Sequence, residues 1–311
     1  MTNYENIIKQ WKIDNCGDVK ANLHTSLESG LNNFSVACSA LFQHPDVGNS
    51  SAEIKAKILT HNLYAFVNGF IWAEQGPVTE VCKKLVSGEY PFNFSKDLLD
   101  GAEVIALQEE QHSKWAYRLL IGIERHTGIL VPDLTPRFIK AINETIVKEE
   151  ELENLVKLMY VIVSEVLNFG IAEIVRHDQT VQKAVREFAN EHENEERLHR
   201  VFFRKLFEEV WAELPSDLKR RIGVLTPEMI AAFLSLDQEI TKYTLSRFPE
   251  EFPNYEQITE DLIKSERASG ILKNSCLRVL LLFKSLGVFD DPKVSESFRL
   301  HNLMPDSFTK S

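Results

Sequence analysis

Apolar residues recur at steps of three and four along most of this chain, with polar residues filling the other faces. That is the helical period, and no convincing series of alternating runs suggests strands. The pattern predicts helices over 52–75, 96–126, 135–147, 150–177 and 180–212, preceded by one or two within 4–32. Gly76-Pro77 breaks or kinks the first of these, Ser95 caps the second, and Leu214-Pro215 stops the last. Thr226-Pro227 reads as the N-cap and first residue of a further helix. Two more helices fill 255–287, and the last twenty or so residues read as a loose tail. Tandem repeats are absent, and no long polar linker forces a cut. The expectation is one all-α domain over 1–311, built on a helix bundle at about 52–212 with additional flanking helices.

Four of those helices spend core positions on ionisable groups. The 96–126 seam runs Leu98, Ala102, Ile105, Glu109, His112, Ala116, Leu119, Ile123, an apolar stripe interrupted by Glu-x-x-His. The 180–212 seam runs Val185, Phe188, His192, Glu196, His199, Phe203, Leu206, with a second such pair and a histidine one turn before it. At about 100° per residue, those three side chains fit an arc of roughly 60°. Leu158, Val161, Glu165, Asn168, Ala172 and Val175 form the 150–177 seam, and Leu63, Val67, Phe70 and Glu74 the 52–75 seam. Glu173 competes with Glu165 for its place, and Glu80 with Glu74.

A lone buried charge costs several kcal/mol, so four glutamates and three histidines on inward seams need a shared partner. Two divalent cations would balance four carboxylates. Carboxylate and imidazole suit iron or manganese, and no cysteine stands among the candidates. The set matches a known bundle solution, in which two helices each give one glutamate and two others each give Glu-x-x-His. A single Glu-x-x-His is common in charged helices. Two that each interrupt an apolar seam, each preceded by a lone seam glutamate, are much harder to obtain by chance. In NEHENEERLHR, residues 190–200, Glu191, Glu193 and Glu195 point off the seam and read as a solvated face. His24, His44, His61, His126, His177 and His301 read as surface or satisfied core histidines.

These residues resemble the ferritin-like diiron carboxylate proteins, and more closely the p-aminobenzoate N-oxygenase family. That family extends the second pair to His-x-x-x-Glu-x-x-His, here His192, Glu196 and His199, after Glu74, Glu109 with His112, and Glu165. The likeness spans roughly 50–210. It implies a ferritin-like four-helix bundle in which all seven residues ligate two iron ions. It also implies a diiron centre reduced by an external donor, which uses O2 to oxidise a substrate amine toward hydroxylamine, nitroso or nitro. The amine would be an aryl amine or an amino-acid amine, free or carrier-bound. The alternatives are a C–H or C–C oxidase on the same scaffold and a non-catalytic iron-binding protein. A ribonucleotide reductase would need a tyrosine near the iron, and Tyr117 and Tyr160 lie off the seams.

The net charge of −11 argues against nucleic acid or an anionic membrane as main partner. No apolar run approaches the roughly 20 residues of a membrane span, and the N-terminus lacks the apolar core of a signal peptide. Cys16, Cys38, Cys82 and Cys276 form no CxxC pair and read as reduced thiols, which points to the cytoplasm. A homodimer is expected, with LRVLLLFKSLGVF at 277–289 as the richest apolar stretch, though it can equally be core.

Overall fold

A computed structural model describes residues 27–167, 170–305 and 308. The helices expected within 4–32 fall almost wholly outside the described residues, as do Cys16, His24 and Asn168. The helices used below are α1 Ala52–Ala73, α2 Thr79–Ser87, α3 Lys96–Thr127, α4 Arg137–Lys148, α5 Glu153–Val166, α6 Ile171–His177, α7 Lys183–Glu213 and α8 Ser216–Leu234. After them come α9 Gln238–Ser246, α10 Tyr255–Lys264, α11 Glu266–Ser285 and α12 Pro292–Leu300. No strand occurs among the described residues, where a single bridge pairs Asn32 with Val181.

The helix ends follow local chemistry. Ser51 accepts a hydrogen bond from the Ile54 amide at the start of α1. Gly128 closes α3 in the left-handed region at φ 69°, which a residue with a Cβ rarely adopts. Ser95 stands at the N-cap of α3, but its hydroxyl lies 3.3 Å from a Glu209 carboxylate oxygen and makes no capping bond.

α1 packs on α3, α3 on α7, and α7 on α5, which makes the all-α bundle expected for a ferritin-like fold. Its interior has two apolar clusters with a polar slab between them. Along α3, Leu98, Ala102 and Ile105 belong to the first cluster, and Ala116, Leu119 and Ile123 to the second. Glu109 and His112 fall between. α7 crosses the slab in the opposite order, from Val185 and Phe188 to Phe203 and Leu206. The apolar layers hold the register of the ionisable layer, because sliding one helix by a turn would drive charges into either core.

Three expectations need correction. Residues 150–177 are not one helix: Leu167 is extended at ψ 134° and Gly170 is left-handed at φ 63°, so α5 and α6 are separate. By composition this stretch is apolar and long enough to cross a membrane. In the fold, Val156 and Leu158 through Val163 are buried, and α5 packs on α7 and α8. Thr226-Pro227 starts no helix. α8 begins at Ser216 and runs through Pro227, which costs the Gly223 carbonyl its amide partner. The buried face Ile222, Thr226, Ile230 continues across that point, and packing outweighs the lost bond. The tail contains α12, with Pro292 at its first position, an Asp291 cap, and buried Val294 and Phe298. Of 277–289, Val279, Leu280, Leu282, Phe283 and Val288 are core, leaving Leu277 and Leu281 exposed.

His61 of α1 gives a stability test. It packs edge-on against Tyr64, Tyr243 and Phe248. Burial, then the Arg247 charge, pushes its pKa down to about 4 from 6.5. The folded chain therefore keeps His61 neutral while the unfolded chain takes up a proton. Its contribution is whole above pH 6.5 and is lost as pH falls from 6.5 toward 4, by up to about 3 kcal/mol. His61→Gln is expected to flatten the pH dependence of stability across that window relative to wild type, measured by urea unfolding at each pH. Parallel curves for the two proteins would contradict this.

Candidate metal centre

α1 leads directly from Ala73 into one wider, π-helical turn, Glu74–Val78, before α2. Gly76 takes the non-helical pair φ −93°, ψ −110°, Pro77 follows it, and the Thr79 hydroxyl donates to the Glu74 carbonyl. The expected kink is thus a π turn, of the kind that re-aims side chains at functional sites. Glu74, on the inward seam of α1 at the start of this turn, is buried. Glu165 sits in the last turn of α5, one residue before the helix ends. Glu109 and His112 on α3, and His192 and His199 on α7, are buried as well.

The seven residues meet in two overlapping groups. Glu74, His112, His192 and Glu196 each offer a donor atom within 4.8 Å of the others, and so do Glu109, Glu165, Glu196 and His199. Glu196 belongs to both, which is the placement a bridging carboxylate needs. His192 Nε2 lies 2.8 Å from Glu74 Oε1, and His199 Nδ1 lies 3.1 Å from Glu196 Oε1. Glu109 also faces both groups, with Oε1 3.1 Å from His199 Nδ1 and Oε2 3.2 Å from His112 Nδ1. The rivals drop out. Glu80 is held by Lys84 and Lys157, and Glu173 by Arg176 and His177.

The electrostatics fit a cation. Glu74 Oε2 and Glu165 Oε2 are buried with no hydrogen-bond partner among the described residues. Burial, then repulsion from Glu196 and Glu109, pushes the Glu165 carboxyl well above the carboxylate range. Burial and Glu109 raise Glu74 in the same way. At Glu196 burial is outweighed by His199, His192 and His112, which hold it below its ordinary range. At His199 burial is outweighed by Glu196 and Glu109, so its pKa is raised. The cluster thus draws protons onto some groups to offset the charge of others. Divalent ions would supply the same neutralisation and release those protons.

The chain matches the p-aminobenzoate N-oxygenase AurF family over residues 22–287. It belongs to that family. No curated protein matches it significantly. As a member it is an O2-dependent oxidoreductase, and its two His/Glu groups can bind two iron ions.

Within this N-oxygenase, residues that the sequence pattern assigned to solvent serve the centre. His112 turns Nδ1 toward the carboxylates, and its Nε2 lies 2.6 Å from Glu195 Oε2. His199 likewise has Nε2 3.0 Å from Gln108 Oε1. Such outer partners fix ring orientation and tautomer. Glu193 is also buried, and it accepts from Arg200 Nη2 at 2.7 Å. The reading of Glu193 and Glu195 as a solvated face is therefore wrong. Packing of α7 on α3 brings Glu195 to His112, while Glu193 pairs with Arg200 on its own helix, and no periodicity within α7 signals either. Tyr160 bonds Thr145 at 3.1 Å, and Tyr117 is exposed.

A cavity of about 370 Å³ reaches the centre, with Glu74, Glu165, His192 and Glu196 on its wall. Phe70 covers the His192 ring at 4.1 Å between centroids. Ile105, Val161 and Phe203 of the same seams are buried.

The outer partners give a test. Glu195→Ala is expected to weaken iron binding about ten- to hundredfold, as loss of such a partner does elsewhere. Competition with a chelator reads this directly. The neighbouring Glu191→Ala should leave affinity at the wild-type value, and equal affinities for all three proteins would show that Glu195 does not support His112.

Proposed function

We propose that this enzyme oxidises the amino nitrogen of a small aromatic amine at two iron ions held by Glu74, Glu109, His112, Glu165, His192, Glu196 and His199. The observation that carries the reading is the cavity that meets four of those side chains and is otherwise walled mainly by apolar and aromatic groups. Reduced by an external donor, the iron pair supplies the activation of O2.

The protein's own part is binding, orientation and exclusion of water. An alkylamine is an ammonium ion near neutral pH and loses hydration on entering such a cavity. An aryl amine is neutral there, keeps its nitrogen lone pair, and enters at less cost. This favours the aryl over the amino-acid branch. Phe70 against His192 keeps bulk water from one ligand face, and the buried seam keeps it from the other side. The third imidazole adds a donor without adding negative charge. Free Cys38, Cys82 and Cys276 fit the expected cytoplasmic setting. A homodimer would rest on the exposed α11 positions Leu277 and Leu281.

Reduced, iron-loaded protein given O2 and a panel of aryl and alkyl amines should yield N-oxygenated aryl products. A panel that returns every amine unchanged would refute the proposal. His192→Ala should fold and keep most of its iron, because six ligands remain, yet lose most amine oxidation. Glu196→Ala should lose metal and stability together, since it removes the shared carboxylate and exposes the remaining ones to mutual repulsion. Iron content, thermal melting and product yield distinguish the two variants. His192→Ala with wild-type activity would make His192 a core histidine.

A further inference from the structure

The cavity wall contributed by α1 is built from two adjacent stripes. Ala65, Gly69 and Ala73 form one, four residues apart, and Phe66 and Phe70 form the other. The aromatic stripe is continuous with the metal centre. Phe34 meets Phe66 at 5.3 Å between centroids, Phe66 meets Phe70 at 4.7 Å, and Phe70 meets His192. The small stripe lies one residue away and ends beside Glu74, whose buried Oε2 has no hydrogen-bond partner among the described residues.

Gly69 is the anomaly in this wall. It sits inside a 22-residue helix, where glycine is the poorest helix former after proline. Its φ is not positive, so the backbone does not require it. A close neighbour does not require it either, since a Cβ built there would meet nothing within 4 Å. What the missing side chain leaves is space, and that space faces the cavity. A helix accepts this cost where width matters more than local stability.

We propose that Gly69 determines which amines this enzyme takes, by leaving a slot beside the Phe66–Phe70 stripe wide enough for a flat ring system larger than one benzene ring. The inference rests on the reading of the cavity as the amine site. Ala65 and Ala73 extend the slot along the helix, and the aromatic stripe gives the ring faces a surface to pack on. A leucine at 69 would project into the slot and fill a volume close to that of a second ring. An alanine would narrow it by one methyl group.

The test measures binding apart from turnover. Titration calorimetry of 4-aminobenzoate and 6-amino-2-naphthoate into the manganese-loaded protein gives affinities without oxidation. Product yields from the reduced iron form with O2 are measured in parallel. For Gly69→Leu, the naphthoate should lose about tenfold more affinity than the benzoate, a loss of the size that mismatched pocket volume causes. Gly69→Ala should shift the ratio in the same direction by less. Both variants should retain wild-type iron content, and Gly69→Ala should melt no lower than wild type. Loss of iron or a lower melting point in Gly69→Ala would show instead that glycine serves the π turn, and the inference would fall. An unchanged ratio in Gly69→Leu overturns the inference while leaving amine oxidation by the wild type standing. A wild type that binds neither ring and oxidises no amine overturns both.

Discussion

Everything in this fold is arranged around the cost of burying like charges together. Glu74, Glu109, Glu165 and Glu196 converge within the bundle, and water is largely excluded from them. In such a setting carboxylates must be neutralised. The three imidazoles offset part of the charge when protonated, but a protonated imidazole cannot ligate. Neutralisation by protons and neutralisation by metal are therefore competing states of one cluster. The second leaves the donors free to do chemistry.

The backbone is irregular beside this cluster. Glu74 lies on the inward seam of α1 with Leu63, Val67 and Phe70, and the helix changes form directly after it. The π turn leads the chain into α2, and the Thr79 hydroxyl donates to the Glu74 carbonyl. On the opposite side α5 stops immediately after Glu165. The two lone glutamates are thus delivered from helix irregularities, while the Glu-x-x-His pairs come from the uninterrupted α3 and α7. The rigid pair fixes the donor positions, and the irregular pair supplies carboxylates with unsatisfied oxygens, Glu74 Oε2 and Glu165 Oε2.

This division also explains what could be read from the sequence. The interrupted seams of α3 and α7 were legible because a buried charge in an apolar stripe violates patterning that packing otherwise enforces. Glu74 and Glu165 were legible for the same reason, although the turn beside Glu74 appeared only as Gly76-Pro77 and the break at Leu167 and Gly170 was read as continuous helix. Glu195, Glu193 and Gln108 were illegible. The roles of Glu195 and Gln108 depend on the rotation of α7 against α3, Glu193 is buried beside Arg200, and a charged run on one helix carries no record of what faces it. Thr226-Pro227 misled for a related reason. The local signal for a helix start was sound, but the buried face from Ile222 to Ile230 overrides it. The cavity was hidden as well, since Ala65, Gly69 and Ala73 read as ordinary helix positions until the space beside them is seen.

The polar slab and the cavity beside it both weaken the fold, and the two apolar clusters are placed to offset that. One cluster extends from Ile105 and Val161 through Phe203 toward α8, α11 and α12, and the other from Val67 through Ala116 to Phe188. Both clamp α3 and α7, at different heights, so the ionisable layer is held from above and below. A zinc finger, by contrast, has too little core to fold without its metal. Here the geometry of the donors is set largely by packing that does not involve them, and metal binding adds stability that grows with the logarithm of metal concentration over Kd. A redox centre benefits from this order of dependence. Glu109 and Glu196, each of which faces both groups, would be the carboxylates able to change neighbours with iron bound while the helices that carry them stay fixed.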